Sequence, residues 1–409
     1  MLDFALRDGI LLRENKNSGR RRVAGTGVRV RGVRFLQCVL GVAVVLLGSP
    51  ASADELKRVY AQILRNPTNS ELNFRYARLA EERGEWRKAL SAYERILVND
   101  PDNPDVLRAL QRVRRKLQPN TTQYLLEAGA RWESNAQRVA TGGSSDGLAV
   151  ARVTVRDERG FADAARWRTI VNLLGDVYFS NSDLSYGYAG GYTGPVIDLT
   201  PTVAMHAALG GGASYYDHGY YYSEGTANLT FESYLEGAYH TVHVRGGYRS
   251  FDNSFPSDNG FYVDVLGKFA FPNVASESDV FIFSPWFRWS NISGVGFSLF
   301  TPTEQVQPGR YTEYGARIEY YRRIFENISV GGNVAVSQRD YGSSFDTALL
   351  TNIDRRDLFV SPGATIVFHQ VWDYQTDLRV DYRFERNNSN VAARDFENHI
   401  ATATIVSRR

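Results

Sequence analysis

Two hydrophobic periods divide this chain, and the change from one to the other falls between Gln118 and Thr122. From Asp54 to Leu117 apolar residues recur three and four positions apart among Ala, Leu, Arg and Glu, which predicts helices packed on one face. After Thr121 the period drops to two. In 374–386, Tyr374, Thr376, Leu378, Val380, Tyr382 and Phe384 share one face of a strand, and Gln375, Asp377, Arg379, Asp381, Arg383 and Glu385 the other. Similar runs lie near 122–132, 146–157, 165–179, 183–197, 201–216, 219–235, 237–252, 259–272, 279–292, 310–324, 327–342, 356–371, 373–386 and 395–407. A spacing of roughly twenty residues per strand is too wide for a soluble sandwich and suits strands tilted across a bilayer. Long polar connections at 135–146, 252–260, 291–309 and 342–354 alternate with tight turns. With both termini periplasmic, each long connection joins an odd strand to the next even one and falls outside the cell. The fold class predicted is mainly β: a transmembrane antiparallel barrel of about fourteen strands, preceded by a small α-helical module.

Within that module, Tyr76-Ala77, Ala80, Gly84, Trp86, Ala89, Tyr93, Ile96-Leu97 and Pro101 stand at the spacing of a tetratricopeptide repeat, which the stretch from Ser70 to Asp102 resembles. Small residues let two antiparallel helices approach, Gly84 turns the chain and Pro101 closes the unit. Tyr60, Ile63-Leu64, Asn66 and Pro67 echo the second half of the repeat, and a further helix from Pro104 to Leu117 would cover the exposed face. Such repeats present a concave groove. Tyr76, Trp86 and Tyr93 are its expected client-binding residues; a spacer or plug is the plainer role.

Upstream, Arg29, Arg31 and Arg34 precede an apolar run from Phe35 to Leu47, and Ala51-Ser52-Ala53 then supplies the small-x-small pattern that signal peptidase reads. The run is shorter than the about 20 residues that cross a bilayer as a helix. The segment 1–53 therefore reads as a cleaved export signal with an N-terminal extension, 54–117 as a periplasmic tetratricopeptide-like module and 118–409 as an outer-membrane barrel. Cys38, the single cysteine, lies in the signal, so the mature chain would carry no thiol, as suits an oxidising compartment.

Composition and charge narrow the function. A net charge of +2 gives no basic excess to argue for a nucleic-acid partner. Tyr 24, Phe 22 and Gly 36 are high counts that suit strands, aromatic girdles and tight turns. Trp132, Tyr178-Phe179, Tyr215-Tyr216, Tyr220 to Tyr222, Trp286 to Trp289 and Trp372 to Tyr374 cluster near strand ends, where amphipathic rings would meet the two lipid–water boundaries. Arg245, Arg249, Arg317, Arg323, Arg379 and Arg383 alternate with Asp264, Glu313, Glu319, Asp377, Asp381 and Glu385 on the predicted inner face. Those charges suit a cross-braced, solvated wall, or a path along which a polar polymer or peptide exchanges hydrogen bonds.

The histidines are scattered. His240 and His243 are three apart in a strand and so on opposite faces, unable to share a metal. Ser233 or Ser250 near His243 is the one arrangement that would suit a lipid hydrolase. No glycine-rich phosphate loop occurs, and the glycines at 190, 191, 194 and 210–212 read as close packing in a curved sheet. A non-enzymatic protein without cofactor or metal is expected.

The element Gly129-Ala130-Arg131-Trp132-Glu133-Ser134-Asn135 is similar to the Gly-x-x-aromatic-Asp-Ser-Asn element that ends the first strand in the surface lipoprotein assembly modifier family. Asn388-Ser389-Asn390 with Phe396-Glu397-Asn398 resembles the loop of that family's last hairpin. The resemblance implies an outer-membrane barrel in contact with outer-membrane lipid, placed by the barrel-assembly machinery and assisting export or surface display of a lipoprotein client that the periplasmic helices recruit. The module here is shorter than in the best-known members, and the chain ends Ile405-Val406-Ser407-Arg408-Arg409 instead of on an aromatic. Exopolysaccharide exporters of the cellulose and poly-glucosamine systems share the order of parts, carry more repeats and are the alternative, with a polysaccharide client.

Amino-terminal sequencing of the protein recovered from cell envelopes should give Asp54 as its first residue. A chain still carrying 35–47 would contradict this processing.

Overall fold

Asparagine, glycine and proline punctuate the helical segment, and the helices break where they fall. In a computed structural model the described residues are 50–100, 103–162, 165–200, 202–217, 219–235, 238–254, 259–292, 309–342, 344–346 and 351–409. The signal up to residue 49, Pro101 and His218 lie outside them. The helices are α1 (Pro50–Arg65), α2 (Ser70–Glu82), α3 (Trp86–Asn99) and α4 (Pro104–Leu117). Thus α1 already runs through the predicted cleavage point at Ala53. The Asn69 side chain caps α2 by accepting from the Leu72 N–H at 2.9 Å. Gly84, at φ +70, turns the chain between α2 and α3. Ala77, Ala80, Ala89 and Ala92 are fully buried, so the helices meet almost backbone to backbone, and Leu56, Val59, Ile63, Val106, Leu110 and Val113 close the core from α1 and α4.

From Gln118 the chain forms a second unit. Its strands are β1 (Asn120–Glu133), β2 (Asp146–Ala162), β3 (Ala165–Tyr178), β4 (Tyr186–Thr200), β5 (Val203–Tyr216), β6 (Gly219–Leu235), β7 (Ala238–Phe251), β8 (Gly260–Pro272), β9 (Asp279–Asn291), β10 (Arg310–Phe325), β11 (Ile328–Tyr341), β12 (Ser344–Asp346), β13 (Thr351–Ile353), β14 (Arg356–Phe368), β15 (Thr376–Ser389) and β16 (Phe396–Arg408). All but β12 and β13 close into one antiparallel barrel of fourteen strands, each paired with its neighbour in sequence. The short β12–β13 hairpin lies in the connection between β11 and β14. The ring closes where β1 meets β16, in register from Leu125 opposite Arg408 to Glu133 opposite Ile400. Gly129 is required at that seam, because a Cβ there would fall 2.0 Å from the Ala403 carbonyl oxygen.

Two predicted boundaries shift for local reasons. Ser182–Leu184 forms a 3-10 turn, which delays β4 to Tyr186. After Phe368 the chain turns through Gln370, whose φ of 57 is left-handed, so β14 ends before Val371.

Alternation sorts the barrel's side chains. Leu126, Val171, Leu173, Leu209, Ile318, Val334, Val336, Ile366, Val380 and Tyr382 are exposed on the outside, a closed apolar band that hydrocarbon would solvate and water would not. Trp132, Phe179, Tyr215, Tyr220, Tyr248, Phe261 and Trp289 flank it at one end, and Phe161, Trp167, Phe325, Trp372 and Tyr374 at the end that holds both strand termini. The aromatic pairs predicted to lie together in these girdles are split by the strand period. Tyr178 and Tyr216 are buried on the inner side while their neighbours Phe179 and Tyr215 face out, and a register shift against β5 puts Tyr220 outside while Tyr221 and Tyr222 are buried.

An arginine at Val380, which is 39% exposed in the middle of β15, should lower stability by about 2–4 kcal/mol in a reconstituted barrel. Arg379→Gln on the inner face, where Arg379 pairs with Asp381 and both are partly exposed, should cost about 1 kcal/mol or less. Urea titration followed by gel mobility measures both, and equal costs would contradict the assignment of faces.

Candidate functional site

Both ends of the barrel sequence meet in one polar clasp. At the end of β1, the Asn135 N–H and the Ser134 hydroxyl donate to Oδ1 of Asn398 at 2.9 and 3.2 Å, across 263 and 264 residues of sequence. Asn398 Nδ2 donates to Glu133 Oε2 at 3.2 Å, and the His399 N–H to Ser134 Oγ at 2.8 Å. Asn135 Nδ2 donates in turn to the carbonyls of Val139 and Glu397. The two short motifs singled out in the sequence are therefore two halves of one structure, the seam of the ring.

The connection that follows is drawn inward. Arg138 has a left-handed backbone (φ 52), which costs a non-glycine residue about 1–2 kcal/mol. Its buried guanidinium lies between Glu133 Oε2 at 2.9 Å and Glu385 Oε2 at 3.1 Å, and so bridges β1 and β15 past the intervening β16. Burying a cation costs several kcal/mol unless carboxylates meet it, and here two do. That pairing outweighs the backbone strain and settles which way the loop turns. Gln137, through Ser144 and Asn181, ties the same loop to the turn after β3.

Every inner-wall charge singled out in the sequence is on the inner face, and nearly all are paired. Arg245 meets Asp264 at 3.3 Å, Arg249 meets Glu224 at 3.1 Å, Arg379 meets Asp381 at 2.8 Å, Arg383 meets Glu385 at 2.8 Å and Asp377 meets Arg408 at 2.7 Å. Among the described residues neither Arg317 nor Arg323 has an ion pair, and the Arg323 Nε is buried without a hydrogen-bond partner. Register makes the wall regular. Arg245, Asp264, Arg288, Glu313, Arg339 and Asp357 stand directly opposite one another on β7, β8, β9, β10, β11 and β14, alternating in sign. Elsewhere Arg168 of β3 reaches Glu232 of β6 at 2.7 Å while also holding Glu158 of β2 at 2.6 Å. Sequence alone did not point to Arg138, Arg168, Glu158 or Glu232: Glu158 and Arg168 stand opposite each other on β2 and β3, but the Arg138–Glu385 and Arg168–Glu232 pairs join elements that are not neighbours in the sheet.

His243 lies 2.7 Å from the Thr230 hydroxyl, whereas Ser233 is opposite His240 and Ser250 opposite Ser223. Neither serine stands beside His243. His240 packs on the rings of Phe269 and Phe271.

In the helical unit a cavity of about 530 Å³ opens along α2, with Phe74, Leu79, Ile96 and Val106 as its apolar lining and Arg75, Arg78, Glu82 and Asp105 at its edge. The expected contacts Tyr76 and Tyr93 are not part of it. Both are core residues, Tyr93 fully buried, because α1 and α4 cover the faces that a lone repeat would leave open. Burial, together with a 2.5 Å hydrogen bond to Glu81, holds the Tyr93 phenol proton well above its ordinary range. Trp86 is partly buried against the same core, with Lys116 over its ring. Phe74, Arg75, Arg78 and Leu79 share the opposite stripe of α2, a signal available in the helical period but masked by the motif's stronger aromatic positions.

Residues 70–113 match the tetratricopeptide repeat family model. No curated protein sequence matches the chain. Among solved structures, the barrel is similar to a bacterial polysaccharide outer membrane secretin (13% identity, 70% of this chain and 98% of that one, TM-score 0.38). It is also similar to the outer membrane channel DcaP of Acinetobacter baumannii (9%, 71% and 97%, 0.39) and to a BenF-like porin from Pseudomonas fluorescens Pf-5 (7%, 71% and 99%, 0.34). Likeness of this degree concerns barrel architecture alone.

Arg138→Ala leaves Glu133 and Glu385 facing each other without their shared cation and should cost about 3–5 kcal/mol. Arg159→Ala, which breaks an exposed pair with Asp157, should cost about 1 kcal/mol or less. In a folded fraction of the Arg138 variant, proteinase K should cut within 135–145, a loop resistant in the parent; unchanged resistance would show that the ion pair does not hold it.

Proposed function

We propose that this protein is an outer-membrane channel assisting export or surface display of a macromolecular client, which its helical unit docks on the periplasmic side. The reading rests on one pairing: a closed barrel, apolar outside and charged within, continuous in sequence with a helical unit whose groove is open and partly apolar. A closed barrel satisfies its own backbone hydrogen bonds, and its inner charges can exchange hydrogen bonds with a polar solute. With the barrel's termini in the periplasm, the loop that Arg138 folds inward lies at the outer mouth. The α2 groove would hold an extended segment of the client by Phe74 and Leu79, with Arg75 and Arg78 beside its polar groups. A lipoprotein is the client class that the likeness of the clasp motifs to the surface lipoprotein assembly modifier family favours. No catalytic step is needed.

Deleting 54–117 should leave an inserted, heat-modifiable barrel, since the ring closes without the helices. Surface delivery should fall, read on intact cells with a membrane-impermeant biotin reagent for proteins and a fluorescent lectin for glycans. Normal delivery by the shortened protein would remove the docking role, and loss of insertion would assign the helices to assembly instead.

A further inference from the structure

Most of the inner wall is neutralised by its own ion pairs, and among the described residues the patch around Arg317 is not. On β10, β11, β14 and β15 the register lays out three successive inward rows. The first begins with Arg317, opposite Ala335, which is opposite Ser361. The second runs Glu319, Asn333, Gly363, Arg383, and the third Tyr321, Gly331, Thr365, Asp381. The middle of the patch is therefore made of small residues, and its rims of long ones.

Several hydrogen-bond donors in this patch are unused. Arg383 gives one terminal nitrogen to Glu385, but its Nε is buried without a partner. The Ser361 hydroxyl is likewise buried and unpartnered. Arg317 has neither ion pair nor hydrogen bond among the described residues, and it lies within electrostatic reach of Arg383, as do Arg131 and Arg138. The nearby carboxylates are committed: Glu385 to Arg138 and Arg383, Asp381 to Arg379 and Thr365, and Glu319 to the Tyr321 hydroxyl at 2.9 Å. A buried donor without an acceptor costs about 1–3 kcal/mol, so a site of this kind is completed by an anionic oxygen from outside the chain.

A flat platform adjoins those donors. Gly331 leaves room for the Tyr321 ring to lie along the wall, since a Cβ there would fall 2.3 Å from the ring. Gly363 makes the same allowance for the Asn333 amide, at 3.0 Å. An aromatic face beside an amide, a hydroxyl, the Arg317 guanidinium and the unused Nε of Arg383 suits a sugar ring bearing a carboxylate. A peptide carboxylate would use the arginines but not the platform.

We propose that Arg317, Asn333, Ser361 and Arg383, with Tyr321 as the stacking surface, form a lumenal subsite for a carboxylated glycan. The inference rests on the reading of the lumen as a client's path, and it favours a glycan client over the lipoprotein to which the clasp motifs point. The carboxylate would lie between Arg317 and Arg383, accepting from the Ser361 hydroxyl, while the Asn333 amide and Glu319 meet ring hydroxyls.

The test is titration calorimetry on the purified full chain in detergent, with trigalacturonate as probe and maltotriose, triglutamate and inorganic phosphate as comparisons. Trigalacturonate should bind more tightly than the other three. Arg317→Gln should weaken it about tenfold, the loss of one charge-assisted hydrogen bond, and Ser361→Ala and Tyr321→Ala should each weaken it too. Because Arg317 leaves no ion-pair partner behind among the described residues, its variant should fold, checked by heat-modifiable mobility. Absence of binding, or no change in Arg317→Gln, would overturn the subsite. Equal binding of maltotriose would remove the role of charge; triglutamate or phosphate binding as tightly would remove that of the sugar. Conductance across a planar bilayer reads the channel separately: a conducting protein that ignores trigalacturonate sinks this inference alone, and a protein that binds but never conducts sinks the channel.

Discussion

Closure of the hydrogen-bonded ring is the constraint on which this molecule depends. In hydrocarbon an unpaired backbone N–H or C=O costs several kcal/mol, and an open edge strand would expose a whole row of them. The β1–β16 pairing removes that edge, joining the two ends of the barrel sequence across more than 260 residues. The clasp of Glu133, Ser134, Asn135 and Asn398 sits at the end of this seam and uses side chains to continue the pairing where strand geometry ends. A seam between segments distant in sequence has no turn to set its register. Gly129 admits the Ala403 carbonyl at close range, and the clasp adds side-chain bonds specific to this alignment.

Closure also dictates the chemistry of the two surfaces. Once the ring is shut, a period of two sends alternate residues to environments of opposite polarity, and each strand must be apolar on one face. The inner face is then free to be charged, and its register brings arginine opposite carboxylate on strand after strand. Single cross-strand pairs of this sort contribute about 0.2–1 kcal/mol. Their larger effect is on what the lumen offers a solute: a wall whose charges are satisfied is slippery, and the places where donors remain unused stand out from it. The patch of small residues around Ser361 is such a place.

The helical unit obeys a different rule. Its core is built from alanines that let helices touch and from tyrosines that fill what remains, so the repeat's most recognisable aromatics hold the unit together. The cavity of the unit lies instead along another stripe of α2, where Phe74 and Leu79 face Ile96 and Val106 between charged neighbours.

What the sequence determined by itself was the local order. The switch in period at Gln118, the number of barrel strands, the alternation of long and short connections and the inner face of Arg379, Arg383, Asp377 and Asp381 all follow from spacing between near neighbours, which the chain states directly. The clasp motifs were visible as two short elements, but not as partners. Only the tertiary structure decided the pairings: Arg138 with Glu385 and Arg168 with Glu232, while Arg317 has no ion pair among the described residues. The reason is geometric. Strand period fixes which side a residue faces, whereas its height in the ring depends on the accumulated register of every strand between it and its partner. Likewise, whether Tyr76 and Tyr93 line a groove or fill a core depended on how many helices pack around one repeat, a property that no single repeat carries.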